Sequence, residues 1–239
     1  MKKLYVCIAA IAIMFVAIMA SPVMNIREVI VSGNEKFSSS EICQQVGIGN
    51  SLGNDENIFA FSVAKAEENL YKNTYIKHVD IKKDYANRVL TLDIVERNLS
   101  GYIKFDDNTY LFIDKEGMVL ECRTSFTERR PVIEGLRFTE FTLGDYIKLD
   151  NTEMFDTLVN FSHLFEKFEI EHDIIRVDLA RSEDIHFYYG NIDIQMGSKM
   201  DLDLKVRTVK NILPTLEVYK DIGGVLEMQD PLNPLFKFF

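Results

Sequence analysis

The chain has 239 residues, enough for one or two domains, and its 47% hydrophobic and 27% charged residues are the balance of a folded protein, not a disordered one. Thirty-seven acidic against 27 basic side chains leave a net charge of −10. With no basic stripe to offset it, that charge repels nucleic-acid phosphates and excludes nucleic-acid binding as a function class.

The first element is an apolar run. Lys2 and Lys3 precede Leu4–Ala20, seventeen residues without a charge, which as a helix span about 26 Å at ~1.5 Å per residue. With Pro22-Val23-Met24 as an apolar flank, the run approaches the ~30 Å hydrocarbon core of a bilayer. The expectation is a single N-terminal transmembrane helix over 4–23, a cytoplasmic tail over 1–3, and the rest of the chain outside the cytoplasm. The rival reading is a cleaved signal peptide with Ile18-Met19-Ala20 before Ser21 as its processing site. Against it, the run exceeds the usual ~7–15-residue apolar region and Ile is a poor −3 residue.

From Ile26 to Ser32 β-branched residues predict a strand, and Gly33-Asn34 supplies turn positions with φ > 0. Ser38 or Ser39 is expected to cap a short helix carrying Ile42 and Val46. Gly47, Gly49, Asn50 and Gly53 mark a loop. Asn57-Ile58-Phe59 leads into a second helix with Val63, Ala66, Leu70 and Tyr71 on one face. Ile76, Val79 and Ile81 alternate imperfectly with polar residues in a strand. Ala86-Asn87-Arg88 turns the chain, and Val89–Val95 is the partner strand. The predicted order, β-α-α-β-β, fits two helices on one face of a three-stranded sheet.

These elements carry a resemblance. "IREVIVSGNEKFSSSEI", "GNDENIFAFSVAKAEENLYKN" and "IKHVDIKKDYANRVLTLDIVER" resemble a POTRA domain of the FtsQ/DivIB cell-division type. Gly33-Asn34, Asn57-Ile58-Phe59 and Val95-Glu96-Arg97 match that family's pattern in order and spacing. Asn73-Thr74 and Asn98-Leu99 stand where the family often has prolines. The resemblance implies a POTRA domain over 24–97 and a β domain over 98–239.

In the second domain Gly101-Tyr102-Ile103, Tyr110–Ile113 and Met118–Leu120 read as strands, with a turn over Asp114–Gly117 in which Gly117 takes the left-handed position. This stretch and Pro131-Val132-Ile133-Glu134-Gly135 resemble the family's next two elements. Asn151–Phe168 is a predicted helix with Met154, Leu158, Phe161, Phe165 and Phe168 as one apolar stripe and Asp150 with Glu153 as capping pair. Ile174–Leu179 is a strand. Ile185–Tyr189 and Ile192–Met196 form a hairpin around Gly190-Asn191. A second helix carries Leu202, Val206, Val209, Leu213 and Leu216, and Pro214 is expected to kink or end it. Val225–Met228 and Leu235–Phe239 are the last strands, separated by the turn Asp230–Pro234. The expected fold class is therefore α+β: the transmembrane helix, a small β-α-α-β-β POTRA domain, and a mixed β-rich domain with two helices.

Little in the chain points to chemistry. Cys7, Cys43 and Cys122 make no CxxC pair. Cys43 is expected to pack in a helix and Cys122 to lie in a strand, a Cys43–Cys122 disulfide being the minor alternative. His78, His163, His172 and His186 lack metal-ligand spacing, Asp114 and Glu116 fit turn chemistry, and Glu166, Glu169 and Glu171 read as a solvated face. No nucleophile motif or phosphate loop is present, so the chain is read as a non-enzyme with no catalytic, metal or cofactor site.

Binding is the remaining class. The terminal strand has no later strand to cover its outer edge, and an exposed edge with Phe236, Phe238 and Phe239 calls for an occupant. The alternative is that these phenylalanines close the core. The resemblance implies partner binding by strand addition at Val225, Leu226, Glu227, Met228, Leu235, Phe236, Lys237 and Phe238. It implies a scaffold at the division septum that links DivIC/FtsB-like and FtsL-like partners, with septal peptidoglycan synthase components as a further class. It also implies that any function of the family's disordered tail is not expected beyond Phe239. The rival functions are a signal-cleaved secreted binding or hydrolytic protein and a POTRA-bearing export factor.

Overall fold

The computed structural model describes residues 2–49, 55–125 and 128–239; the loop reading at Asn50 and Gly53 lies outside them. The chain divides into two compact units, Met1–Arg97 and Asn98–Phe239.

The first unit begins with helix α1, Lys2–Met19. Its apolar part, Leu4–Met19, measures about 24 Å at ~1.5 Å per residue. The helix stops there because the chain tightens: the Ser21 amide donates to the Ile18 carbonyl, and Ser21 precedes a 3₁₀ turn, Pro22–Met24, opened by a proline. The apolar flank therefore does not lengthen the helix. No helix among the described residues is long and apolar enough to cross a membrane, which corrects the expected transmembrane helix over 4–23.

After that turn come β1 (Glu28–Ser32), α2 (Ser39–Gln45), α3 (Val63–Tyr71), β2 (Ile76–Asp84) and β3 (Val89–Glu96). The sheet order is β1-β3-β2, with β1 parallel and β2 antiparallel to the central β3. A register shift between Ile76 and His78 explains the imperfect alternation of β2: it puts Ile76, Val79 and Ile81 together in the core. Ser38, not Ser39, caps α2, forming a capping box with Glu41. On α3, Ala66 and Leu70 are buried and Val63 packs against the core. Tyr71 departs from the expected face and is exposed, its hydroxyl accepting from the Val79 amide at 3.4 Å.

The three motifs of this unit have structural causes. Gly33 adopts φ +76°, and a Cβ there would collide with the Ile94 carbonyl oxygen where β3 passes. The Glu96 carboxylate accepts from the consecutive amides of Glu35, Lys36 and Phe37 at 3.0, 2.6 and 3.3 Å, an anion-binding nest that pins the turn after β1 to the end of β3. Asn57 donates through Nδ2 to the carbonyls of Met19 and Ser21 and accepts the Phe59 amide through Oδ1. It thereby satisfies the Met19 carbonyl at the C-terminal end of α1 and ties in the Ser21 carbonyl just beyond it.

The second unit is a nine-stranded sheet with two helices. Its elements are β4 (Leu99–Lys104), β5 (Tyr110–Asp114), β6 (Val119–Arg123), β7 (Val132–Glu134), α4 (Thr152–Phe168), β8 (Arg176–Asp178), β9 (Ile185–Tyr189), β10 (Ile192–Gly197), α5 (Leu202–Leu216), β11 (Gly224–Glu227) and β12 (Leu235–Lys237). The sheet order is β12-β11-β10-β9-β8-β7-β4-β5-β6. The buried Asp114 makes the β5–β6 turn, its Oδ1 accepting from the Glu116 and Met118 amides at 2.9 Å each. Asn151, not Asp150, caps α4: its side chain accepts from the Glu153 amide at 2.9 Å. Pro214 lies inside α5, which ends two residues later in a 3₁₀ turn over Glu217–Tyr219.

Register assigns the two faces of this sheet. Ile133, Val177, Phe187, Ile194, Leu226 and Phe236 pair in one row from β7 to β12, and they join α4 and α5 in a single apolar cluster. Phe187 meets Phe161 and Phe165 edge to face at 4.9 and 5.1 Å. The opposite face carries two rows: Val132, Arg176, Tyr188, Asp193, Val225 and Lys237, then Glu134, Asp178, His186, Gln195, Glu227 and Leu235.

Candidate partner-binding edge

Strand β12 ends the nine-strand order and pairs antiparallel with β11, Val225 opposite Lys237, Leu226 opposite Phe236 and Glu227 opposite Leu235. Among the described residues its outer side has no strand partner, so one row of its main-chain amides and carbonyls is free for another strand.

The residues expected to bind a partner fall into three environments. Leu226 and Met228 are buried in the core. Phe236 is half-buried and packs against that core, its ring 5.5 Å from Tyr219. Val225, Glu227, Leu235 and Lys237 lie on the opposite face, where Lys237 Nζ pairs with Glu227 Oε1 at 2.6 Å. Phe238, just past β12, is 60% exposed and stands edge to face with both Tyr219 and Phe236 at 5.2 and 5.1 Å. The phenylalanines thus divide the two readings: Phe236 closes the core, while Phe238 and Phe239 remain exposed.

Residues outside the expected set enlarge this edge. Val218, Ile222 and Leu232 are 71%, 69% and 76% exposed; Val218 adjoins Tyr219 and Ile222 precedes β11. The turn bearing Leu232 is tied to α5, where Thr208 Oγ1 donates to the Pro231 carbonyl at 3.3 Å. Gly223, at φ +94°, allows the Phe239 ring to approach; a Cβ there would sit 3.2 Å from it. These residues lie outside the predicted helices and strands, and nothing in the sequence marks an apolar loop residue as exposed.

Chemistry elsewhere is sparse. Among the described residues no group of three His, Cys, Asp or Glu side chains could hold a metal ion. Cys43 is buried in α2, Cys122 is exposed on β6, and both are free thiols, as is Cys7. Burial raises the Cys43 pKa, favouring the inert thiol. His163 is exposed, and His172 lies against the Arg130 guanidinium and the Arg129 carbonyl. Two apolar hollows border the N-terminal part of α4. One, of about 340 Å³, lies between Gly135–Arg137 and Met154; the other, of about 540 Å³, is walled by Tyr146, Leu149 and Phe155.

The motif-bearing first unit and the mixed-sheet second unit define a class, proteins built on an FtsQ-type POTRA domain followed by a β domain. Residues 24–97 match the family model described as POTRA domain, FtsQ-type. The cell division protein DivIB of Clostridium botulinum (strain Hall) is 29% identical over 237 residues, 98% of this chain and 90% of the relative. DivIB of Clostridium tetani is 27% identical over 86% of this chain and 76% of its own length, and that of Clostridium acetobutylicum 25% identical over 90% and 83%. Residues 24–97 thus carry a POTRA domain of the FtsQ type, and over nearly its whole length the chain is similar to DivIB cell division proteins.

Proposed function

We propose that this protein serves cell division as a non-enzymatic scaffold at the division septum, and that the β11–β12 edge is where it holds its partners. The observation that carries the reading is the outer side of β12, unpaired among the described residues and flanked by exposed Leu235, Phe238 and Phe239. A partner strand laid along β12 gains main-chain hydrogen bonds and buries these side chains together. The relatives are cell division proteins by name, and the family resemblance supports DivIC/FtsB-like and FtsL-like proteins as partners, with septal peptidoglycan synthase components beyond them.

The test is co-purification of a DivIC-like partner with the full chain. Leu235→Glu together with Phe238→Glu places two carboxylates on the docking edge and leaves Phe236 and the core row intact. Partner recovery is expected to fall at least tenfold while the circular dichroism spectrum is unchanged. Full recovery with the double variant refutes strand docking at this edge. Removing all of 235–239 is a poorer test, because Phe236 belongs to the core.

A further inference from the structure

His186 lies on the open face of β9, its side chain 19% exposed, with a carboxylate on each ring nitrogen: Nδ1 is 2.7 Å from Asp193 Oδ1 on β10, and Nε2 is 3.1 Å from Asp184 Oδ1 just before β9. We propose that His186 is a pH-operated clasp, which as an imidazolium ties β10 to the head of β9 and on losing its proton releases the terminal strands β10–β12 from the body of the sheet.

The stoichiometry of donors carries this. An imidazolium has two N–H groups and satisfies both carboxylates, whereas a neutral imidazole has one. Deprotonation therefore leaves either Asp193 or Asp184 facing a ring lone pair at contact distance. The consequence is directional because β11 pairs with β10 and β12 with β11, so β12 reaches the body of the sheet through β10.

The surroundings give the proton few competitors. From β8, Asp178 stands directly opposite His186, and Arg176 stacks 3.6 Å over Tyr188 while pairing with Glu134. From β10, Gln195 stands opposite the histidine and approaches Asp193 at 3.4 Å. On its own side, Tyr188 stacks parallel at 6.3 Å and Arg181 pairs with Asp184. Three carboxylates thus surround the ring; of the nearby cations Arg176 is engaged with Glu134, while Arg181 shares Asp184 with the histidine and leaves Asp193 to it. Burial of the ring favours its neutral form, but the hydrogen bonds and charges of Asp193 and then Asp184 together outweigh it, and the pKa is raised from 6.5. Stability from a raised histidine pKa is fully present below 6.5 and is lost as pH climbs through the folded value.

Two measurements on the full chain test the clasp. In the first, the His186 ring resonance is titrated by NMR. A midpoint above 6.5 is expected, falling in Asp193→Asn; a midpoint at or below 6.5, or one unmoved by Asp193→Asn, overturns the proposal. In the second, amide exchange at Ile194 and Leu226 is compared below and above that midpoint, corrected for intrinsic rates. Protection is expected to drop about tenfold, the scale of one charge-assisted hydrogen bond, and to lose this pH dependence in His186→Gln. The same dependence in His186→Gln, or none in the unsubstituted chain, also overturns it. If His186→Gln does not fold, the Asp193→Asn titration decides alone.

Discussion

Glu96 and Gly33 show how a short sequence signature becomes a mechanical joint. Three amides converge on one carboxylate, so Glu96→Ala leaves them without their acceptor. We expect a loss of about 1–3 kcal/mol, read as a lower urea midpoint, with Glu96→Gln losing less because the amide oxygen still accepts. Gly33→Ala is expected to cost about 1–2 kcal/mol from its left-handed backbone alone, and more from the collision with the Ile94 carbonyl. A Gly33→Ala protein as stable as its parent would show that β3 can move aside. In the larger core, Phe187 is fully buried between Phe161 and Phe165, and Phe187→Ala is expected to cost ~3–5 kcal/mol.

Elements inherit these joints. Asn57 links the end of α1 to the segment before α3, donating to two carbonyls 38 and 36 residues earlier. Asn57→Ala removes those donors, and Asn57→Asp sets a negative charge against the C-terminal end of a helix. Thermal unfolding should therefore show Asp lower than Ala, and Ala lower than the parent; equal midpoints would remove Asn57 from this role. Much of the element plan was legible from turn residues and apolar spacing. Gly190-Asn191 marks the β9–β10 hairpin, and all five expected stripe residues of α5 are buried. What escaped depends on partners far along the chain. Ile174–Leu179 reads as a six-residue strand, yet only Arg176–Asp178 pairs in register with both neighbouring strands. Asp150 looks as good a cap as Asn151, but only the latter reaches the Glu153 amide. The apolar run of α1 promised a span, yet the tightened turn at Ser21 and Pro22 ended the helix at Met19.

At the scale of the molecule, the candidate edge was located by sequence but its division of labour was not. Alternation along Leu235–Phe238 cannot say which face meets the core; the pairing of Phe236 with Leu226 does. Each unit has its own buried cluster, so residues 98–239 expressed alone are expected to fold and unfold in one cooperative urea transition. A broad, non-cooperative transition would show that this cluster is insufficient. The role proposed for the protein in division runs through the β12 edge. Its most direct measurement is cell length after depletion in the native bacterium, with complementation by the parent chain or by the Leu235→Glu, Phe238→Glu double variant. Filaments or failed septa that the parent rescues and the variant does not are the predicted result. Normal division on depletion, or full rescue by a variant that blocks the edge, would contradict it.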